Sequence, residues 1–159
     1  MRIRKAARKD IPRIAELLKE FKEFNIRTLS PQNLVFLKQK NYDIKTIEKQ
    51  VKMAFKIKDS IVFVAEENGK IVGYVFGYVK KRGREYIMYK TGYIDHWFVT
   101  EKSQGRKIGK RLLGEITKWF KKQKCSHLTT EVFVDNKKAI KIYKKLGFRK
   151  YTIEMKKKI

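Results

Sequence analysis

Residues 93–134 constrain the fold most, because two strand patterns there enclose a helical one. Tyr93 to Val99 reads as a strand after the turn residue Gly92. Ile108, Leu112, Ile116, Trp119 and Phe120 then recur at the spacing of an amphipathic helix of about four turns, and Leu128 to Val134 is strand-like again. A strand, a crossover helix and a second strand of one sheet run with the two strands parallel.

The other segments supply partners. Ile3 to Ala7 reads as a short strand, and Asp10 as the N-cap of a helix carrying Pro12 in its first turn and Ile14, Leu17, Leu18, Phe21 and Phe24 on one face. Residues 26–42 read as irregular, with a short turn of helix starting at Ser30-Pro31. Asp43 caps a second helix with Ile44, Ile47, Val51 and Phe55 on its stripe. Ser60 to Glu66 and Ile71 to Lys80 form a hairpin about Asn68-Gly69. Lys137 to Leu146 is a helix that ends at Gly147, and Phe148 to Met155 alternates as a half-buried strand. The expectation is a single α/β domain over residues 1–159, with a mixed, mostly antiparallel sheet and helices on both faces.

Several classes are disfavoured. The longest apolar run, Ile71 to Val79, is far short of the roughly 20 residues that cross a bilayer, and no secretory signal is visible near Met1. Cys125 is the one cysteine, which fits a reducing cytoplasm, and with His96 and His127 it makes too few ligands for a Cys/His zinc site. Forty-one Lys and Arg against sixteen Asp and Glu give a net charge of +25. Such a field gathers polyanions, so nucleic acid or an acidic partner stays open beside a phosphate-bearing cofactor.

Between the Val99 strand and the Ile108 helix lies Gln104-Gly105-Arg106-Lys107-Ile108-Gly109-Lys110-Arg111. A glycine-bearing basic loop that opens a helix presents main-chain N–H groups at the positive end of the helix dipole, a seat for phosphate. Its glycine spacing is neither that of a P-loop nor that of a dinucleotide fingerprint.

Gln104-x-x-Lys107-x-Gly109 resembles the Gln/Arg-x-x-Gly-x-Gly/Ala loop of the GNAT superfamily of N-acetyltransferases. Asn136-x-x-Ala139-x-x-x-Tyr143-x-x-x-Gly147-Phe148 is similar to that family's second signature. Lys107 stands where the family has its first glycine, a departure that strains the chain only if the position needs a positive φ. The resemblance implies acetyl-coenzyme A as cofactor, held where two parallel strands splay, and an amine as acceptor. Backbone of Phe98 and Val99 would pair with the pantetheine arm, and Gln104, Gly105, Arg106, Lys107, Ile108, Gly109 and Lys110 would cradle the diphosphate. Asn136 would cap its helix or touch the pantetheine, and Tyr143 would serve as general acid. For the general base, Asp95 resembles an acidic position of polyamine-type members, while His96 competes on its ordinary pKa; strict alternation puts the two on opposite faces. No feature decides whether the chain forms the homodimer common in the family. The competing expectation is a basic nucleic-acid- or ribosome-associated protein on an acetyltransferase scaffold.

Overall fold

The computed structural model describes residues 1–37, 43–81, 83, 85–86 and 89–159, so Arg82 and Arg84 of the basic run 81–84 lie outside the described residues. In chain order the elements are β1 (Arg2–Lys5), α1 (Ile11–Thr28), α2 (Pro31–Leu34), α3 (Ile44–Ala54), β2 (Ser60–Glu67), β3 (Lys70–Lys81), β4 (Lys90–Val99), α4 (Ile108–Lys122), β5 (His127–Thr130) and α5 (Lys137–Lys145). They belong to two compact units, residues 1–21 with 41–131, and residues 22–40 with 132–159.

The first unit holds a five-stranded sheet of order β1-β2-β3-β4-β5. The first four strands pair antiparallel, and β4 pairs with β5 in parallel. The β2–β3 hairpin turns on Asn68 and Gly69 at φ 49° and 75°, the two positive values its tight turn demands. Along β3 the side chains divide. Tyr74 and Phe76 join Val62, Val64 and Phe98 in a core closed by Ile14, Leu17 and Leu18 of α1 and by Ile47 and Val51 of α3. On the other face α4 comes so near that a Cβ on Gly92 would stand 2.5 Å from the Phe120 ring, and one on Gly77 would stand 2.9 Å from both Ile116 and Phe120. Leu112, Ile116 and Phe120 are buried at 0–1 % exposure, each burial contributing about 1.5–3 kcal/mol. Helices thus cover both faces, as the pattern predicts.

Two departures from the expected strands matter. In the β3–β4 register Phe76 faces His96 but Gly77 faces Ile94, so Asp95 is an extra residue, a bulge. The β4–β5 ladder ends one residue before it, at Ile94 and Thr130, short of the expected strand end at Val134. The bulge bends β4 and breaks the parallel pairing. Residues 95–99 therefore have no β5 partner, which is the splayed pair.

The role of Asp10 also differs from expectation. It does not cap α1 as an N-cap but sits in the preceding turn, and its carboxylate accepts the Ala7 N–H at 2.7 Å and both Arg4 guanidinium nitrogens at 2.7 and 3.0 Å. Arg4 also donates to Glu66 at 2.7 Å, joining β1 to β2. Asp10 is 5 % exposed, and hydrogen bonding from Arg4 holds it below the usual carboxylate range.

In the second unit α1 runs on to Thr28, into the segment expected to be irregular, and α2 is the short helical turn expected from Ser30-Pro31; residues 38–42 of that segment lie outside the described residues. Asp135 accepts from the Ser30 N–H, the Ser30 hydroxyl and the Asn33 amide at 3.0, 2.9 and 2.8 Å. These bonds tie the residues before α5 to the α1–α2 connection and lower the Asp135 pKa, with Asn33 as the largest cause. The strand expected at 148–155 is absent: Tyr151 and Met155 are 81 and 86 % exposed, and alternation makes a strand only where a neighbour completes the ladder.

Candidate acetyl-transfer site

The open end of β4 leads directly into the basic loop. The Thr100 N–H bonds to Val72 O on β3 at 2.9 Å. By strand alternation the N–H and C=O of Trp97 and Val99 then point to the opposite edge, the one β5 has left, while those of Phe98 point to β3. Trp97, which sequence reasoning passed over, and Val99 thus face the edge that β5 has left; Phe98 contributes a buried ring. The turn Glu101–Ser103 follows, and Gln104 Nε2 donates back to Val99 O at 3.2 Å.

Gly105 and Lys107 both adopt left-handed backbone, at φ 79° and 60°. Lys107 is the residue before α4, with ψ 11°, and its side chain makes no cap. The first bond of α4 is the Arg111 N–H to Lys107 O at 3.1 Å, so Ile108, Gly109 and Lys110 turn their N–H groups out at the positive helix end without helical partners. Lys107, Lys110 and Arg111 are exposed around them. Arg106 instead forms a bidentate pair with Glu67 at 2.6 and 2.5 Å, fastening the loop to the β2–β3 turn. Gly109 lies beside the Trp97 indole, where an added Cβ would sit at an ordinary 3.5 Å.

The bulge rearranges the two candidate bases. Beyond it the phase of β4 is reversed, so His96 joins the face of Tyr74 and Phe76, its ring 6.1 and 5.8 Å from theirs and 5.9 Å from Phe21. Asp95 reaches the same group: its Oδ2 is 3.8 Å from His96 Nε2. Alternation had placed them on opposite faces, and the extra residue cancels that. Together with burial, the Asp95 charge raises the pKa values of Tyr74, Tyr78 and Tyr93.

A further carboxylate joins this face. Glu131, just past β5, is hydrogen-bonded to Tyr93, raising that phenol further. The signal was legible as a carboxylate interrupting the strand pattern at 128–134. Lys80 Nζ stands 3.3 Å from the Tyr93 ring centroid. Among the described residues no group of three or more His, Cys, Asp or Glu is arranged to hold a metal ion.

In the second unit Asn136 caps α5, its Oδ1 accepting the Ala139 N–H at 3.0 Å, and Gly147 ends that helix at φ 90°. Tyr143 is half-buried on α5, its ring 5.7 Å from Phe148.

The model of the GNAT acetyltransferase family matches residues 14–148, and the chain belongs to that family. Two curated relatives are L-2,4-diaminobutyric acid acetyltransferases. The Halomonas elongata protein is 26% identical over 108 residues, 67% of this chain and 53% of the relative; that of Chromohalobacter salexigens is 28% identical over 98 residues, 61% and 48%. The chain thus spans about half the length of the curated relatives it matches. Among solved structures, the tetramutant of the BH1408 protein from Bacillus halodurans superposes with a TM-score of 0.82 at 22% identity over all of both chains. The aminoglycoside N-acetyltransferase AAC(6')-Iy, bound to a bisubstrate analogue of coenzyme A, superposes with a TM-score of 0.74 at 15% identity, covering 99% of this chain and 98% of that one. These likenesses show the fold.

The donor set fits an acyl-coenzyme A. Outward N–H groups and lysines at the α4 terminus suit a diphosphate, and the β4 edge that β5 has left suits an extended arm with amide groups.

Proposed function

We propose that residues 1–159 act as one catalytic domain, a cytoplasmic N-acetyltransferase moving acetyl from acetyl-coenzyme A to a primary amine by direct attack. The observation that carries this is the parting of β4 from β5 after Ile94, where β4 runs on into the left-handed turn that opens α4. Acetyl-coenzyme A supplies an activated thioester when bound. The backbone of residues 104–110 holds its diphosphate, and the Val99 N–H polarises the acyl carbonyl. Asp95 or His96 takes the proton the amine loses as its N–C bond forms, with Glu131 as a further acceptor. Tyr143 supplies the proton taken up by sulfur when the C–S bond breaks, and Asn136 holds the start of its helix.

The amine class is supported by relatives named for a diamino acid and a neighbour named for aminoglycosides. Among the described residues no helix is long and apolar enough to cross a membrane, and the lone Cys125 fits a reducing compartment. Calorimetric titration with acetyl-coenzyme A, followed by thiol release over a panel of amines and peptides, tests the assignment. No saturable binding at millimolar cofactor refutes it.

The charge of +25 favours a second reading, that the acceptor is presented by a nucleic-acid-bound partner. RNA affinity should then fall steeply between low and high salt, and a flat response rejects this.

A further inference from the structure

Helix α5 carries Lys137, Lys138, Lys141, Lys144 and Lys145 within nine residues, and no Asp or Glu. All five lysines are exposed. At about 100° per residue they fill one arc of about 120°, opposite the half-buried Ala139, Ile140 and Tyr143. The other long helices set acids among their cations. Arg13 meets Glu16 at 2.6 Å on α1, and Lys118 meets Glu115 at 2.8 Å on α4. On α3, Lys45, Lys49 and Lys52 repeat the spacing of Lys137, Lys141 and Lys144, but Glu48 stands 3.8 Å from Lys52.

The α5 arrangement works against the helix itself. Lys141 has a like charge at i−4, i−3, i+3 and i+4, and each such pair is destabilising. Lys137 and Lys138 also crowd the positive end of the helix dipole, with no acid in the first turn. Solubility does not require this, since mixed charges serve α1 and α3 as well. A local rule broken in this way marks a surface compensated from outside the chain.

We propose that the lysine face of α5 docks a nucleic-acid backbone, through its phosphates and without reading bases. Lys137, Lys141 and Lys145 follow one another at about 6 Å, four residues at about 1.5 Å each, a regular row of point charges. A duplex presents one phosphate charge per ~1.7 Å of its axis, so the row meets anions along its whole length. A bilayer fits less well, because a helix lying on one turns its apolar arc to the lipid, and here that arc is half-buried. The assignment rests on the nucleic-acid reading of the charge, not on acetyl transfer, and gives that reading a location.

The test follows affinity for a mixed-sequence DNA duplex against salt in three proteins. They are wild type, Lys137→Gln/Lys141→Gln/Lys144→Gln on α5, and Lys45→Gln/Lys49→Gln/Lys52→Gln, which removes the same charge from α3. The α5 variant should make the slope of log affinity against log salt shallower by about 2.7, three contacts at about 0.9 each, while the α3 variant keeps the wild-type slope. The α5 variant should also melt no lower than wild type and bind acetyl-coenzyme A unchanged. Equal losses in the two variants overturn the proposal, because net charge alone then explains binding. A lower melting temperature rejects it by giving the lysines to the fold, and weaker cofactor binding rejects it by giving them to the cofactor. Tighter wild-type binding to phosphatidylserine vesicles than to the duplex would make the face a membrane surface instead. A wild-type affinity indifferent to salt defeats the nucleic-acid reading as a whole.

Discussion

Lys107 is the one residue of the loop whose backbone and side chain disagree, and the disagreement can be measured. At φ 60° and ψ 11° it occupies the left-handed region, where a Cβ costs an L-residue about 1–2 kcal/mol. Lys107→Gly removes that cost but gives back about 0.5–1 kcal/mol through the greater freedom of glycine in the unfolded chain. Lys107→Ala keeps the Cβ and removes only an exposed side chain, which carries little stability. The glycine variant should therefore be more stable than the alanine variant by about 1 kcal/mol, or about 2–4 °C in Tm for a chain of 159 residues. At an ordinary helical position the order is opposite, with alanine ahead by about 0.5–1 kcal/mol. The sign alone decides. Urea unfolding without cofactor, at constant m-value, reads it. An alanine variant equal to or more stable than the glycine variant would refute the left-handed assignment and the outward N–H array built on it.

Tyr143→Phe should lower kcat at least tenfold while calorimetric affinity for acetyl-coenzyme A stays nearly intact, and unchanged turnover removes the acid role. Asp10→Asn should cost about 2 kcal/mol at neutral pH, because it weakens the charged bonds from Arg4. The folded Asp10 pKa is depressed, so its stabilisation is full above the unfolded value near ~3.9 and is lost as pH falls through the folded value. Acid unfolding of the variant should accordingly be less steep, and identical pH profiles would contradict this. Gly92→Ala should cost about 1–3 kcal/mol in urea melts, since its Cβ would stand 2.5 Å from Phe120; full stability with the Phe120 ring unmoved would count against the packing described.

Much of the scaffold was readable from local chemistry. The α4 stripe from Ile108 to Phe120 reaches the core because its period is helical, the Asn68-Gly69 turn works through its two positive φ values, and Asp43 and Asn136 cap their helices through their own side chains. Each of these depends on neighbours in sequence. What escaped depends on residues distant in sequence. The Asp95 bulge is a property of two strands in register, so β4 read alone put His96 on the wrong face. The early end of the β4–β5 ladder follows from that bulge, and the 148–155 alternation lacked the partner that would make it a strand. Asp10 is the local exception: it looked like an N-cap, but Arg4 and Ala7, close by in sequence, hold its carboxylate. Tyr74 lies in a run read only as strand, and that its buried hydroxyl has no partner among the described residues shows only when every neighbour is in place.

The surplus residue at position 95 also determines which genetic changes this strand tolerates. Exchanging one side chain between Asp95 and Val99 alters one contact, whereas deleting the Asp95 codon removes the bulge itself. His96 would still face Phe76 and Phe98 would still face Tyr74, but the ladder to β5 would be free to run on past Ile94. A single missing codon should therefore spare the core yet zip shut the edge beside the basic loop, so that activity is lost from a protein that still folds.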